Sequence, residues 1–163
     1  MFVRTATLDD AAAIARIYNQ GIEDRTATFE TSLRSVDDIV VWFDGLHPIV
    51  VAEIAGKAVA FASTSDYRAR ECYAGIAEFS VYVARQERGQ GAGRAALKAL
   101  IAAAQDAGFW KLVSRVFVEN TASRKLLARS GFREVGIYQK HARLEGVWRD
   151  VVIVERLLET NLK

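Results

Sequence analysis

The chain has 163 residues, 51% of them hydrophobic, which suits a single domain over residues 1–163 with a substantial core. Its 22 basic and 20 acidic residues leave a net charge of +2, too balanced to point to nucleic acid or an anionic membrane. The lone cysteine, Cys72, excludes an intrachain disulfide and fits a reducing, cytoplasmic setting, while His47 and His141 stand too far apart for a metal-ligand motif, so no metal is expected.

No signal peptide or membrane span is expected, because Met1 to Thr7 lacks a cationic stretch leading into an apolar run. Nor does any linker or repeat divide the sequence, and its one proline is Pro48. Phe2 to Arg4 reads as a first strand. Leu8 to about Glu23 follows as a helix, with Ile14, Ile17 and Tyr18 at core-facing spacing. A second helix is expected from Val36 to about Leu46, stopped by Pro48. Ile49 to Ile54 and Ala58 to about Ser65 are strands joined by a turn at Ala55-Gly56-Lys57. After a charged loop, Asp66 to Cys72, the strand Ile76 to Val83 alternates. Glu78, Ser80 and Tyr82 face one way; Ala77, Phe79, Val81 and Val83 face the other. An Ala-rich helix runs to about Ala107, with Gly108 as its C-cap. Leu112 to Val118 is a strand, Thr121 to Ser130 a helix, and Phe132 to Tyr138 and Val147 to Leu157 are two final strands. This order predicts an α/β fold: a mixed, mostly antiparallel sheet with helices packed on it.

Between the alternating strand and the Ala-rich helix lies Arg88-Gly89-Gln90-Gly91-Ala92-Gly93-Arg94. Free N–H groups at a helix N-terminus attract anions, and glycines permit close backbone approach. The loop lacks the Gly-Lys-Ser/Thr ending of a Walker A sequence and the glycine spacing of a dinucleotide fingerprint. By spacing alone, phosphate binding and an ordinary glycine-rich turn both stand.

Ser80-Val81-Tyr82-Val83 with Arg88 to Arg94 resembles the cofactor motif of the GNAT acetyltransferase family, and Glu119-Asn120-Thr121-Ala122-Ser123 with Ser130-Gly131-Phe132 resembles its next motif. Within that family, Tyr18-Asn19, Thr28-Phe29-Glu30-Thr31, Tyr67-Arg68-Ala69-Arg70, Tyr73 and Gly146-Val147-Trp148-Arg149-Asp150-Val151 are similar to the phosphinothricin acetyltransferase subgroup. The resemblance implies the GNAT fold, its central sheet splayed between the Ile76–Val83 and Leu112–Val118 strands, with helices on both faces. It implies acetyl-CoA as cosubstrate, contacted by Val83, Ala84, Arg85, Arg88, Gly89, Gln90, Gly91, Ala92, Gly93, Arg94 and Asn120. It also implies a homodimer and a small amino-acid-like acceptor such as phosphinothricin, arsinothricin, methionine sulfoximine or methionine sulfone.

An amine attacks a thioester only when neutral, so a base is needed. Glu78 is the candidate, acting through a water; the bland reading is a salt-bridged strand carboxylate. The Val83 N–H is the candidate oxyanion donor. Many family members carry a tyrosine where this chain has Leu127, so the departing thiolate is left to Tyr82, Tyr138 or water. Arg68 and Arg70 are candidates for gripping acidic oxygens, a solvated loop being the bland reading; the resemblance implies Phe29, Glu30 and Tyr73 around the acceptor, and Ser80 is a further candidate there. Three alternatives remain open: acetylation of a peptide N-terminus, a non-catalytic acyl-CoA sensor, and a structural domain with a vestigial loop.

Overall fold

The computed structural model describes residues 1–163. Its elements follow the expected order: β1 (Phe2–Thr5), α1 (Ala11–Asp24), α2 (Val36–Val40), β2 (Ile49–Ile54), β3 (Lys57–Asp66), β4 (Ile76–Val83), α3 (Ala92–Asp106), β5 (Lys111–Phe117), α4 (Thr121–Arg129), β6 (Arg133–Leu144) and β7 (Val147–Leu157). The strands form one sheet in the order β1-β2-β3-β4-β5-β7-β6, antiparallel throughout except for β4 beside β5. No helix is long and apolar enough to cross a membrane.

The period-2 pattern of the strands divides the core between the two faces. On one face, α3 lays Ala96, Leu97, Leu100 and Ala104 against Val50, Ala52, Ala60, Ala62, Ala77 and Phe79. On the other, α1 lays Ile14 and Ile17 against Ile49, Val51 and Phe61, and the ring of Tyr82 joins them. The entry to α1 is a 3₁₀ turn, Leu8–Asp10, ahead of the α-helix proper. Its buried Asp10 accepts from the Thr7 N–H at 2.8 Å and from the Arg4 guanidinium at 2.8 and 2.9 Å.

Two boundaries differ from expectation. Helix α2 stops at Val40, not near Leu46. The Asp44 carboxylate takes the N–H groups of Leu46 and His47, both at 2.8 Å, and this local turn competes with continued helix. Strand β6 runs on to Leu144, past the expected stop at Tyr138. Its pairing with β7 breaks between Tyr138 and Ala142, where Lys140 has φ +47 and gives its N–H to Asp150 at 2.7 Å. The ladder then resumes across this bulge.

Candidate active site

The parallel pair β4–β5 is short. It holds only at Ile76–Lys111, Ala77–Leu112 and Glu78–Val113. At the closed end the Trp110 N–H donates to the Gly75 carbonyl at 2.8 Å, and the indole lies so close that a Cβ on Gly75 would fall 2.0 Å from it. Beyond Glu78 the strands part. Each stays paired on its outer side, β4 with β3 and β5 with β7, so the gap opens like a fork. The first carbonyl past the split, that of Phe79, accepts from the Ser114 hydroxyl at 2.9 Å. The Ala84 N–H is turned toward β3, where it meets the Val59 carbonyl. Strand alternation therefore turns the backbone N–H groups of Val81 and Val83 into the fork.

The chain leaves β4 through a turn at Arg85–Glu87 and enters α3 with Gly89 at φ +79 and Gly91 at φ +87. Nothing lies within 4 Å of a Cβ placed on either glycine, so it is the left-handed backbone that calls for glycine at these two positions. Gly93 differs: its Cβ would sit 3.2 Å from Val83 Cγ2, where α3 packs on the end of β4. No side chain caps α3, and its first N–H groups are free at the positive end of a 15-residue helix.

This loop is tied to the last turn of α1. Asp24 receives Arg85 at 2.7 Å and Arg88 at 2.7 Å, and these guanidinium bonds hold its carboxyl below the ordinary aspartate range. Gln20 accepts the Arg85 N–H at 2.7 Å, and Arg88 Nε donates to the Val83 carbonyl at 3.2 Å. Asn120 caps α4 through the Ser123 N–H at 3.2 Å and donates to the Thr26 carbonyl at 3.3 Å. Ala84, Ala92 and Gly93 are buried, whereas Gln90 and Arg94 are exposed.

Glu78 and Ser80 lie half-buried on the α1 face, and the nearest cation to Glu78 is Arg115, 3.6 Å away. Two residues farther along the same face of β5, Phe117 meets the edge of Phe29 with ring centres 4.8 Å apart. The Arg149 guanidinium lies 5.6 Å from the centre of the same ring. Tyr82 stacks on Tyr18 and Phe61 at 5.0 and 5.5 Å and lies against Gly21; burial pushes its phenol far above the ordinary tyrosine range. Leu127 is buried in the α3-side core.

The other expected acceptor residues do not all converge. Glu30 is exposed and paired with Arg34 at 2.9 Å. Tyr73 packs edge-on against Tyr67, and Arg68 lies over that Tyr67 ring at 5.1 Å. Its guanidinium is held above its ordinary value, first by the Tyr67 phenol and more weakly by Tyr73 and Tyr138. Arg68 and Arg70 are both exposed and border a pocket of about 340 Å³ with His47, Asp66 and Phe109. Phe109 lies in the α3–β5 connection, next to Trp110, so that pocket lies toward the closed end of the fork. A larger recess of about 520 Å³ surrounds the β6 bulge, lined by Val118, Tyr138, Lys140, His141 and Asp150. The sequence assigns no role of their own to Gln20, Asp24 and Arg115, nor to Arg149, which enters only as part of the Gly146–Val151 motif. For the two arginines, strand alternation alone would have put Arg115 level with Phe117, and Arg149 with Val151 and Ile153.

A parallel pair that opens into a fork beside an uncapped helix N-terminus is the frame of an acyl-CoA-dependent acetyltransferase. The acetyltransferase (GNAT) family model matches residues 14–132, and the chain belongs to that family. Among its relatives, the phosphinothricin N-acetyltransferase of Alcaligenes faecalis is 36% identical over 96% of this chain and 82% of its own length. The methionine sulfoximine/methionine sulfone acetyltransferase of Pseudomonas paraeruginosa is 32% identical, covering 96% of this chain and 94% of that protein. The crystal structure of a phosphinothricin acetyltransferase from Sinorhizobium meliloti in complex with acetyl-CoA superposes with a TM-score of 0.89 at 26% identity, covering 96% of this chain and 87% of that one.

Proposed function

We propose that the chain moves the acetyl group of acetyl-CoA onto the α-amino group of a small amino-acid analogue of the phosphinothricin and methionine sulfone kind. The observation that carries this reading is the fork, which opens at Glu78 and ends at the free N–H groups of α3. Bound there, acetyl-CoA would supply the thioester that the acceptor amine attacks.

The backbone of Val81, Val83 and Arg85 borders the gap and would pair with the pantetheine arm, with Ala84 beneath. The N–H groups at Ala92 and Gly93, shaped by Gly89, Gln90 and Gly91 and flanked by Arg88 and Arg94, would hold the pyrophosphate. Asn120, at the far lip, would meet the arm from the α4 side. Glu78 takes the proton of the acceptor ammonium through a water, which frees the nitrogen lone pair. The Val83 N–H donates to the carbonyl oxygen as negative charge develops on it. The proton needed by the departing sulfur comes from Tyr82 or from water; Leu127 has none to give. Phe29 and Ser80 border the acceptor, with Glu30, Arg68, Arg70 and Tyr73 in the outer loops. The exposed apolar edge of β6, with Val135, Ile137 and Tyr138, supports a homodimer.

Initial-rate thiol release from acetyl-CoA with phosphinothricin, methionine sulfone, methionine sulfoximine, glutamate and an N-terminal peptide tests the reading. Saturable release with one of the tetrahedral-centred amino acids is the expected result. Release with the peptide alone, or with none of the panel, would overturn it.

A further inference from the structure

Arg149 is the one side chain with a buried polar atom that has no partner: its Nε is shut from water and meets no acceptor. The side chain as a whole is 28% exposed, and its nearest carboxylate, Glu119, lies 3.6 Å from Nη1, beyond hydrogen-bonding distance. A guanidinium offers five donors, and leaving the buried Nε–H without an acceptor is unfavourable, while the terminal nitrogens at the open end of the side chain stay within reach of a ligand. The Phe117 ring, 5.6 Å from the guanidinium, accounts for where the cation rests but offers the Nε–H no acceptor.

The position is informative. Phe117 pairs with Val151 in the β5–β7 register, and Arg149 lies two residues farther along the same face. Along β5, Phe117 is two residues, about 7 Å, beyond the Arg115 that approaches Glu78. Phe29 packs against the same ring, with centres 4.8 Å apart. An amino acid whose amine sits at Glu78 and whose carbon chain crosses Phe117 carries its side-chain group to Arg149.

We propose that Arg149 anchors the anionic side-chain group of the acceptor, a phosphinate or carboxylate, so that this chain favours acceptors with a charged side chain over neutral ones of the same length. This rests on the acetyl-transfer reading above. Glu119, 60% exposed, is the pairing that such a ligand displaces.

The test compares Arg149→Met and Arg149→Lys with the parent on two acceptors, phosphinothricin, whose side chain is anionic, and methionine sulfone, whose side chain is neutral. Arg149→Met is expected to raise KM for phosphinothricin about 10- to 100-fold, the loss of a charge-assisted contact. KM for methionine sulfone and for acetyl-CoA should stay within about threefold. Arg149→Lys, which keeps the charge and loses the fork, should fall between. Equal rises for both acceptors, or no rise, would overturn the assignment. If the parent releases no thiol with any acceptor, the acetyl-transfer reading fails. Calorimetry of phosphinothricin with the coenzyme A-loaded protein then decides Arg149 by itself. Binding that Arg149→Met abolishes supports the anchor; no binding by the parent, or equal binding by both, overturns it.

Discussion

Replacing Gly91 with alanine separates two reasons for a glycine at the start of α3. The residue has φ +87, and an added Cβ would have no neighbour within 4 Å. The unliganded protein therefore suffers no clash, only the cost of a left-handed backbone, about 1–2 kcal/mol. That cost appears as a fall in Tm measured without ligand, a few degrees for a chain of this size. If the Cβ also stands where the pyrophosphate comes to lie, acetyl-CoA affinity measured by calorimetry falls further, by about tenfold for each 1.4 kcal/mol. The expected result is both effects, with the larger in Kd. A lowered Tm with unchanged Kd would confine the glycine to backbone geometry and remove the phosphate seat from this turn. Unchanged Tm and Kd together would refute the geometry itself.

Glu78→Gln should cut kcat about 100-fold or more while leaving acetyl-CoA affinity intact, and its activity should recover as pH rises and the acceptor loses its own proton; an unchanged rate near neutral pH would remove the base. Gly75→Ala should destabilise by about 1–3 kcal/mol in urea unfolding, because the indole it would strike is pinned through the Trp110 N–H to Gly75 and through the Trp110 carbonyl to the Leu158 N–H. An unchanged midpoint would show that the closed end of the fork can yield. The Asp10 carboxyl is depressed, first by its hydrogen bonds from Arg4. A depressed folded value means stability present above the unfolded aspartate value, about 3.9, and lost as pH falls below it. Asp10→Asn should therefore lower Tm at pH 7 and flatten its fall below pH 4; a parallel fall in both proteins would exclude Asp10 as a contributor.

Much of the fold was legible because it is written locally. The alternation of Ile76 to Val83 gave both the strand and its two faces, and structure puts Ala77 and Phe79 in the α3-side core with Tyr82 on the other. The α2 stop was not legible, since it depends on which N–H groups the Asp44 side chain captures. The β6 bulge depends on Asp150, ten residues away, holding Lys140. The fork was expected from family resemblance, but its opening at Glu78 is set by outer pairing with β3 and β7 that no short window contains. The candidate site was legible where one strand and its following loop supply it. It was not where Gln20 and Asp24 reach the loop across more than sixty residues, or where Arg149 meets Phe117 from a neighbouring strand.

The ties between α1 and the Gly-rich loop bear on how tightly any ligand can be held. The Arg85 N–H already has Gln20, the Val83 carbonyl already has Arg88, and Arg88 already has Asp24. On the proposed reading, a ligand that took these groups would exchange partners, each new bond replacing an old one. The net gain at these groups would be a difference between bonds of similar strength, which would leave the shape of the fork and the helix terminus to carry the affinity. The same exchange would ease the departure of product, because Gln20 and Asp24 can reclaim the groups it frees.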